Sequence, residues 1–148
     1  MNTQRVKTHT ENIPLTSRRI LCAVDFSESS LHALRWAVSL ARQFDEHLTI
    51  LYTYRLIKPT QGHALEMKKK IEEDSLQHFR VLEKEYLADP LLSYDFQMEI
   101  GFMADRITDQ LRHNHISFLV MDKNMHAVNK EMFDDLLGRL SIPLVLVP

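Results

Sequence analysis

Residues 18–30 read Arg18-Arg19-Ile20-Leu21-Cys22-Ala23-Val24-Asp25-Phe26-Ser27-Glu28-Ser29-Ser30, and this stretch decides the fold. Ile20 to Val24 is a continuous apolar run, which suits a central strand covered on both faces. Asp25 and the serines that follow are turn and cap residues, so a helix is expected to start there. Leu31, Leu34, Trp36, Ala37, Leu40, Ala41 and Phe44 then supply a stripe at helical spacing. Leu48 to Tyr54 is rich in strand formers and gives a second strand. The unit is strand, acidic turn, helix, strand, which opens many nucleotide-binding α/β domains.

Downstream the alternation continues. Lys58-Pro59-Thr60-Gln61-Gly62 reads as a loop, followed by a long helix from about Ala64 to Leu87 with Leu65, Ile71, Leu76, Phe79, Leu82 and Tyr86 on one side. Asp89-Pro90 ends it. Tyr94, Phe96, Met98 and Ile100 alternate with Ser93, Asp95, Gln97 and Glu99. Strict alternation predicts a third strand with one dry and one wet face, half exposed at a sheet edge. Gly101 leads into a helix over about Met103–Asn114, with Ile107 and Leu111 inward. Ile116–Met121 is the fourth strand, a shorter helix holds Met132, Phe133, Leu136, Leu137 and Leu140, and Pro143 introduces a last strand, Leu144-Val145-Leu146-Val147. Five strands alternating with four helices predict a single doubly wound α/β domain over residues 18–148, its sheet mainly parallel with helices on both faces. Residues 1–17 carry no periodicity and are expected to be a flexible arm.

Composition excludes several classes. The chain has 148 residues, 45% hydrophobic and 26% charged, with a net charge of -2, enough for one compact core. That balance offers no basic footprint for nucleic acid. Lys68-Lys69-Lys70 is followed at once by Glu72-Glu73-Asp74, which reads as a solvated helix face. No apolar run approaches the ~20 residues of a membrane span, and the single cysteine, Cys22, reads as a small buried apolar residue. A cytoplasmic protein is expected. Among eight histidines only His113 and His115 form a close pair, without further ligands at zinc-like spacing, so no metal is expected. His126 lies near Asp122. No activated nucleophile and no phosphate-binding P-loop is evident, so no catalytic residue is assigned. The methionines, Met98, Met103, Met121, Met125 and Met132 among them, read as core filler.

The order of these segments resembles the universal stress protein family. Arg19 to Ser30 is similar to its "I-L-V-x-x-D-x-S-E-x-S" start, Ala37, Leu40 and Ala41 to "A-x-x-L-A", and Leu48 to Thr53 to "L-T-L-L-H-V". Gly101, Ala104 and Ile107 match "G-x-x-A-x-x-I", Phe118 to Met121 match "L-I-V-M", and Pro143 to Val147 match "P-V-L-V-V". The resemblance implies a five-stranded sheet in the order 3-2-1-4-5, with a ligand crevice at the carboxyl ends of strands one and four. The implied crevice positions are Ala23, Asp25, Thr53, Met121, Asp122, Lys123, Met125, Lys130 and Glu131.

One branch of that family binds ATP with magnesium there, through "G-x-x-G", about nine residues, then "G-S/T". Glycines let backbone amides touch phosphate oxygens. Here those positions carry Asp122, Met125 and Lys130-Glu131. Two carboxylates would face a polyanion, at about 4 kcal/mol per like-charge pair ~4 Å apart at an effective dielectric near 20. Lys123 and Lys130 offset part of this without restoring the amides. The expectation is therefore a non-enzymatic stress-response or regulatory protein without cofactor, working through unidentified protein partners. The alternative is an adenine-nucleotide-binding member with a divergent phosphate loop, and an adenine-nucleotide hydrolase is a weaker third reading. Asp25 is either a crevice carboxylate or a cap of the first helix. The apolar last strand would be a naked sheet edge, so a homodimer through Leu144, Val145, Leu146 and Val147 is expected.

Overall fold

The computed structural model describes residues 3–7, 17–56, 62–128 and 130–148, with backbone alone at 3–7 and 126–128. The elements are β1 (Thr3–Lys7), β2 (Arg19–Val24), α1 (Glu28–Phe44), β3 (His47–Tyr54), α2 (Ala64–Tyr86), β4 (Tyr94–Ile100), α3 (Met103–His113), β5 (Ile116–Asp122), α4 (Lys123–Val128), α5 (Lys130–Arg139) and β6 (Leu144–Val147). They build a sheet in the order β1-β4-β3-β2-β5-β6. The strands β4-β3-β2-β5-β6 are mutually parallel and reproduce the expected 3-2-1-4-5 order. This is the doubly wound α/β architecture the sequence predicts.

Helices cover both faces because the central strands are apolar on both. Ile20, Cys22, Val24, Leu48, Ile50, Phe96 and Met98 pack with Ala33, Leu34, Ala37 and Ala41 of α1 and with Phe79 and Leu82 of α2. Leu21, Ala23, Leu51, Leu119 and Met121 point the other way and pack with Ala104 and Ile107 of α3, Met125 of α4 and Leu136 of α5. Trp36, Phe44 and Leu65, placed in the helical stripes from the sequence, lie instead on exposed surface.

Three expectations are corrected. The arm expected over residues 1–17 contains a strand: Thr3–Lys7 pairs antiparallel with β4, Thr3 opposite Glu99 and Lys7 opposite Asp95. Hence β4 is not an edge, and it is buried through residues 94–99 on both faces. Its polar side is dry because α3 covers it and the side chains satisfy one another. Gln97 donates to Asp95, and Gln110 of α3 donates to Gln97 at 2.6 Å. Finally, the segment after β5 is not a loop but the short helix α4, which makes five helices among the described residues. The loop expected at residues 58–62 lies outside the described residues except for Gly62.

Two turns set up the ends of the strands. Phe26 has φ +64°, a left-handed conformation costing roughly 1–2 kcal/mol for a side chain of this size. Its ring packs 4.9 Å from Tyr52 and 5.5 Å from His78, which offsets that strain. Gly101 has φ +132° and turns β4 into α3, its amide donating to the Tyr54 carbonyl at 2.8 Å. A Cβ there would lie 3.3 Å from Arg106 Nε, so both strain and space select glycine.

Candidate functional site

The carboxyl ends of β2 and β5 form the switch point of the sheet, since the chain leaves β2 toward β3 on one side and β5 toward β6 on the other. On the β2 side, Asp25 serves the start of α1. Its Oδ1 accepts from Ser27 N at 3.0 Å and from Ser27 Oγ at 2.5 Å, while its own amide donates to Ser30 Oγ. Ser27 is the N-cap of α1 and accepts from Ser30 N. Asp25 thus shapes the turn into α1 by accepting from Ser27, and Ser27 is the cap.

On the β5 side, Asp122 is 1% exposed. Its Oδ1 accepts from the amides of Asn124 at 2.7 Å and Met125 at 3.2 Å. Those amides are the first unpaired donors of α4, so Asp122 caps that helix. Its Oδ2 is buried and has no partner among the described residues. The thiol of Cys22 registers this neighbour: burial pushes its pKa up, and the Asp122 carboxylate pushes it further.

Thus the implied crevice residues separate into two groups. Ala23, Met121 and Met125 join one apolar cluster below α4. Asp25, Lys123, Lys130 and Glu131 are exposed, and Thr53 is half-buried at the end of β3. The His126 side chain lies outside the described residues.

The other end of the sheet holds a cleft of about 1010 Å³, lined by Arg18, Ala41, Phe44, His47, Leu92 and Ser93 among others. Two side chains of its wall, His47 and Ser93, join the buried Asp95 in a relay the sequence reading missed. His47 Nδ1 lies 2.5 Å from Ser93 Oγ, and His47 Nε2 lies 2.6 Å from Asp95 Oδ1. The same oxygen accepts from Thr49 Oγ1 at 2.8 Å. His47 and Asp95 are buried, 5% and 1% exposed. A signal existed: polar residues recur at spacing two in both segments, at 47 and 49 and at 93, 95, 97 and 99. Only the parallel register, with Thr49 beside Asp95, brings them together.

The family model described as the universal stress protein family matches residues 16–145. The chain belongs to this family. No curated protein matches it. Among solved structures it is similar to the universal stress protein UspA from Lactobacillus plantarum, at 15% identity and a TM-score of 0.74, covering 90% of this chain and 99% of that one. It is also similar to a universal stress protein solved in complex with cAMP, at 15% identity, a TM-score of 0.64 and 90% and 98% coverage. A third likeness is to the universal stress protein from Archaeoglobus fulgidus in complex with dAMP, at 14% identity, a TM-score of 0.60 and 88% and 98% coverage. At these identities the likeness establishes the fold. Within the universal stress protein fold, the strand β1 lies outside the five-strand order that the family resemblance implied. No helix among the described residues is long and apolar enough to cross a membrane.

Proposed function

We propose that this universal stress protein is a regulatory stress-response protein that does not bind ATP tightly and catalyses no nucleotide reaction at the switch point. The observation that supports this most is Asp122, a buried carboxylate committed to the amides of α4, with one oxygen left over. A phosphate brought there would meet a fixed negative charge and lose the amides to the cap. Met125, buried above the sheet, takes the space beside it. The reading has the protein cytoplasmic and acting through contacts with other proteins. One observation favours a second reading: relatives have been solved with cAMP and dAMP. In that reading Lys123 and Lys130, both exposed, meet the phosphate of an adenine nucleotide with magnesium from outside the crevice.

The nucleotide content of freshly purified protein, followed by calorimetric titration of ATP with magnesium, decides between them. The expected result is no released nucleotide and no heat. Stoichiometric nucleotide, or a micromolar affinity abolished by replacing Lys123 and Lys130, would establish the second reading instead.

The homodimer belongs to the same proposal. β6 pairs only with β5 among the described residues, and Leu146 is 42% exposed. An uncharged edge of this kind is stabilised by pairing with a second copy across a two-fold axis. Light scattering at micromolar concentration is expected to give twice the chain mass. Leu146→Lys should reduce this to the chain mass, because it sets two like charges near each other across the axis. A wild-type monomer would remove the dimer from the proposal.

A further inference from the structure

We infer that Ser93 is an activated serine that accepts an acyl group from an uncharged, activated acyl donor, an aryl ester or a thioester, entering the cleft at the amino ends of the strands. The inference goes beyond the regulatory reading and needs nothing from the switch point. Its basis is the direction in which the relay is wired. Asp95 is surrounded by donors: Thr49 Oγ1 at Oδ1 and Gln97 Nε2 at Oδ2. A carboxylate in that setting accepts, so His47 Nε2 carries the proton and gives it to Asp95 Oδ1. The Nδ1 lone pair then faces Ser93, and the Ser93 hydroxyl donates to it. This is the arrangement of nucleophile, base and orienting carboxylate that activates a hydroxyl.

The three groups are held rigidly. His47 opens β3 beside Arg19 of β2, and Ser93 directly precedes β4, its carbonyl accepting from Leu48 N at 2.9 Å. Placement on strand ends keeps the geometry without an ordering cost at reaction. Ser93, half-buried, and His47 both line the cleft. The lining also specifies the acyl group. Phe44 and Leu91, at 58% and 85% exposure, are large apolar side chains left open on its wall. Its lining charges balance, Arg18 and Arg42 against Asp45 and Glu46, and Arg42 is also paired with Asp89 at 2.6 Å. The surface therefore suits an uncharged, apolar acyl group.

The step balances without any oxidant or metal. Ser93 Oγ bonds to the acyl carbon as its proton passes to His47 Nδ1. The imidazolium that forms is stabilised by the buried Asp95 carboxylate. The carbon–oxygen or carbon–sulfur bond to the leaving group breaks, and the leaving group takes the proton from Nδ1. The products are an ester at Ser93 and a free phenol or thiol, one transfer per chain.

The full chain would be mixed with p-nitrophenyl acetate, following p-nitrophenol release by absorbance and the modified residue by peptide mass mapping. The expected result is a burst of one equivalent with the acetyl group on Ser93. Ser93→Ala should abolish the burst, and Asp95→Asn should slow it by about a hundredfold, the low end of what a positioned base contributes. Acetyl confined to lysines, or an undiminished burst in Ser93→Ala, would overturn the inference and leave the relay as a strut between β3 and β4. Should Asp95→Asn fail to fold, the map of the unmutated chain decides alone.

Discussion

Phe79→Ala should cost about 3–5 kcal/mol of stability, the usual range for emptying a fully buried aromatic site. Phe79 is 0% exposed. Its ring stacks on Phe96 of β4 at 4.2 Å with planes 6° apart, and meets the edge of Tyr94 at 6.4 Å. It is thus the main anchor of α2 on the sheet. A domain of this size holds roughly 5–15 kcal/mol in total, so the loss takes a large share. Thermal unfolding should fall by about 6–20 °C at ~2–4 °C per kcal/mol. Leu65→Ala on the same helix, at a site 78% exposed, should change stability by no more than ~0.5 kcal/mol. Equal effects from the two substitutions would mean that α2 is not held through Phe79.

The second large effect is with pH. Cys22 is fully buried in β2, and desolvation first, then the Asp122 carboxylate, raises its pKa. The unfolded chain loses the thiol proton near pH ~8.5, while the folded chain keeps it. Above that point the unfolded state binds fewer protons, so stability falls as pH rises. The contribution is complete below pH ~8.5 and declines by about 1.4 kcal/mol per pH unit for each such proton. Tyr54 adds a second proton from about pH 10, its hydroxyl held up by burial and by donation to Glu72 at 2.6 Å. Urea unfolding between about pH 7 and about pH 10 should show this alkaline slope, and Cys22→Ala should flatten its first part. A wild-type midpoint unchanged to about pH 9.5 would contradict the account.

The strands β2, β5 and β6 were legible because each is mainly an apolar run, and each crossover helix has its stripe. Their order came from the resemblance, and the sheet has it. The third strand was misjudged for a physical reason. Alternation reports which face is polar, not whether water reaches it, and Asp95, Gln97 and Gln110 satisfy one another under α3. β1 was invisible because Thr3-Gln4-Arg5-Val6-Lys7 has one large apolar residue; what places it is the unpaired edge of a strand some ninety residues later. α4 could have been found, since Asp122 is a good N-cap residue. It was hidden by the expectation of a loop at the crevice. The relay of Ser93, His47 and Asp95 was not legible, because it depends on a register between strands separated by the whole of α2. The bonds of Asp25 to Ser27 and of Asp122 to the amides of Asn124 and Met125 needed hydrogen-bond geometry that residue spacing does not carry.

The extra strand also bears on how far copies of this chain can stack. The sheet ends in two unlike ribbons, Thr3–Lys7 with two cations in five residues, and Leu144–Val147 with none. In the proposed homodimer, strand addition at the apolar end would join two chains and consume both apolar ends. The other end carries Arg5 and Lys7 in its sequence, and charged residues on an edge strand disfavour further pairing. In that proposed assembly, growth by edge pairing would stop at two chains, where a sheet with two apolar ends would continue into a fibre.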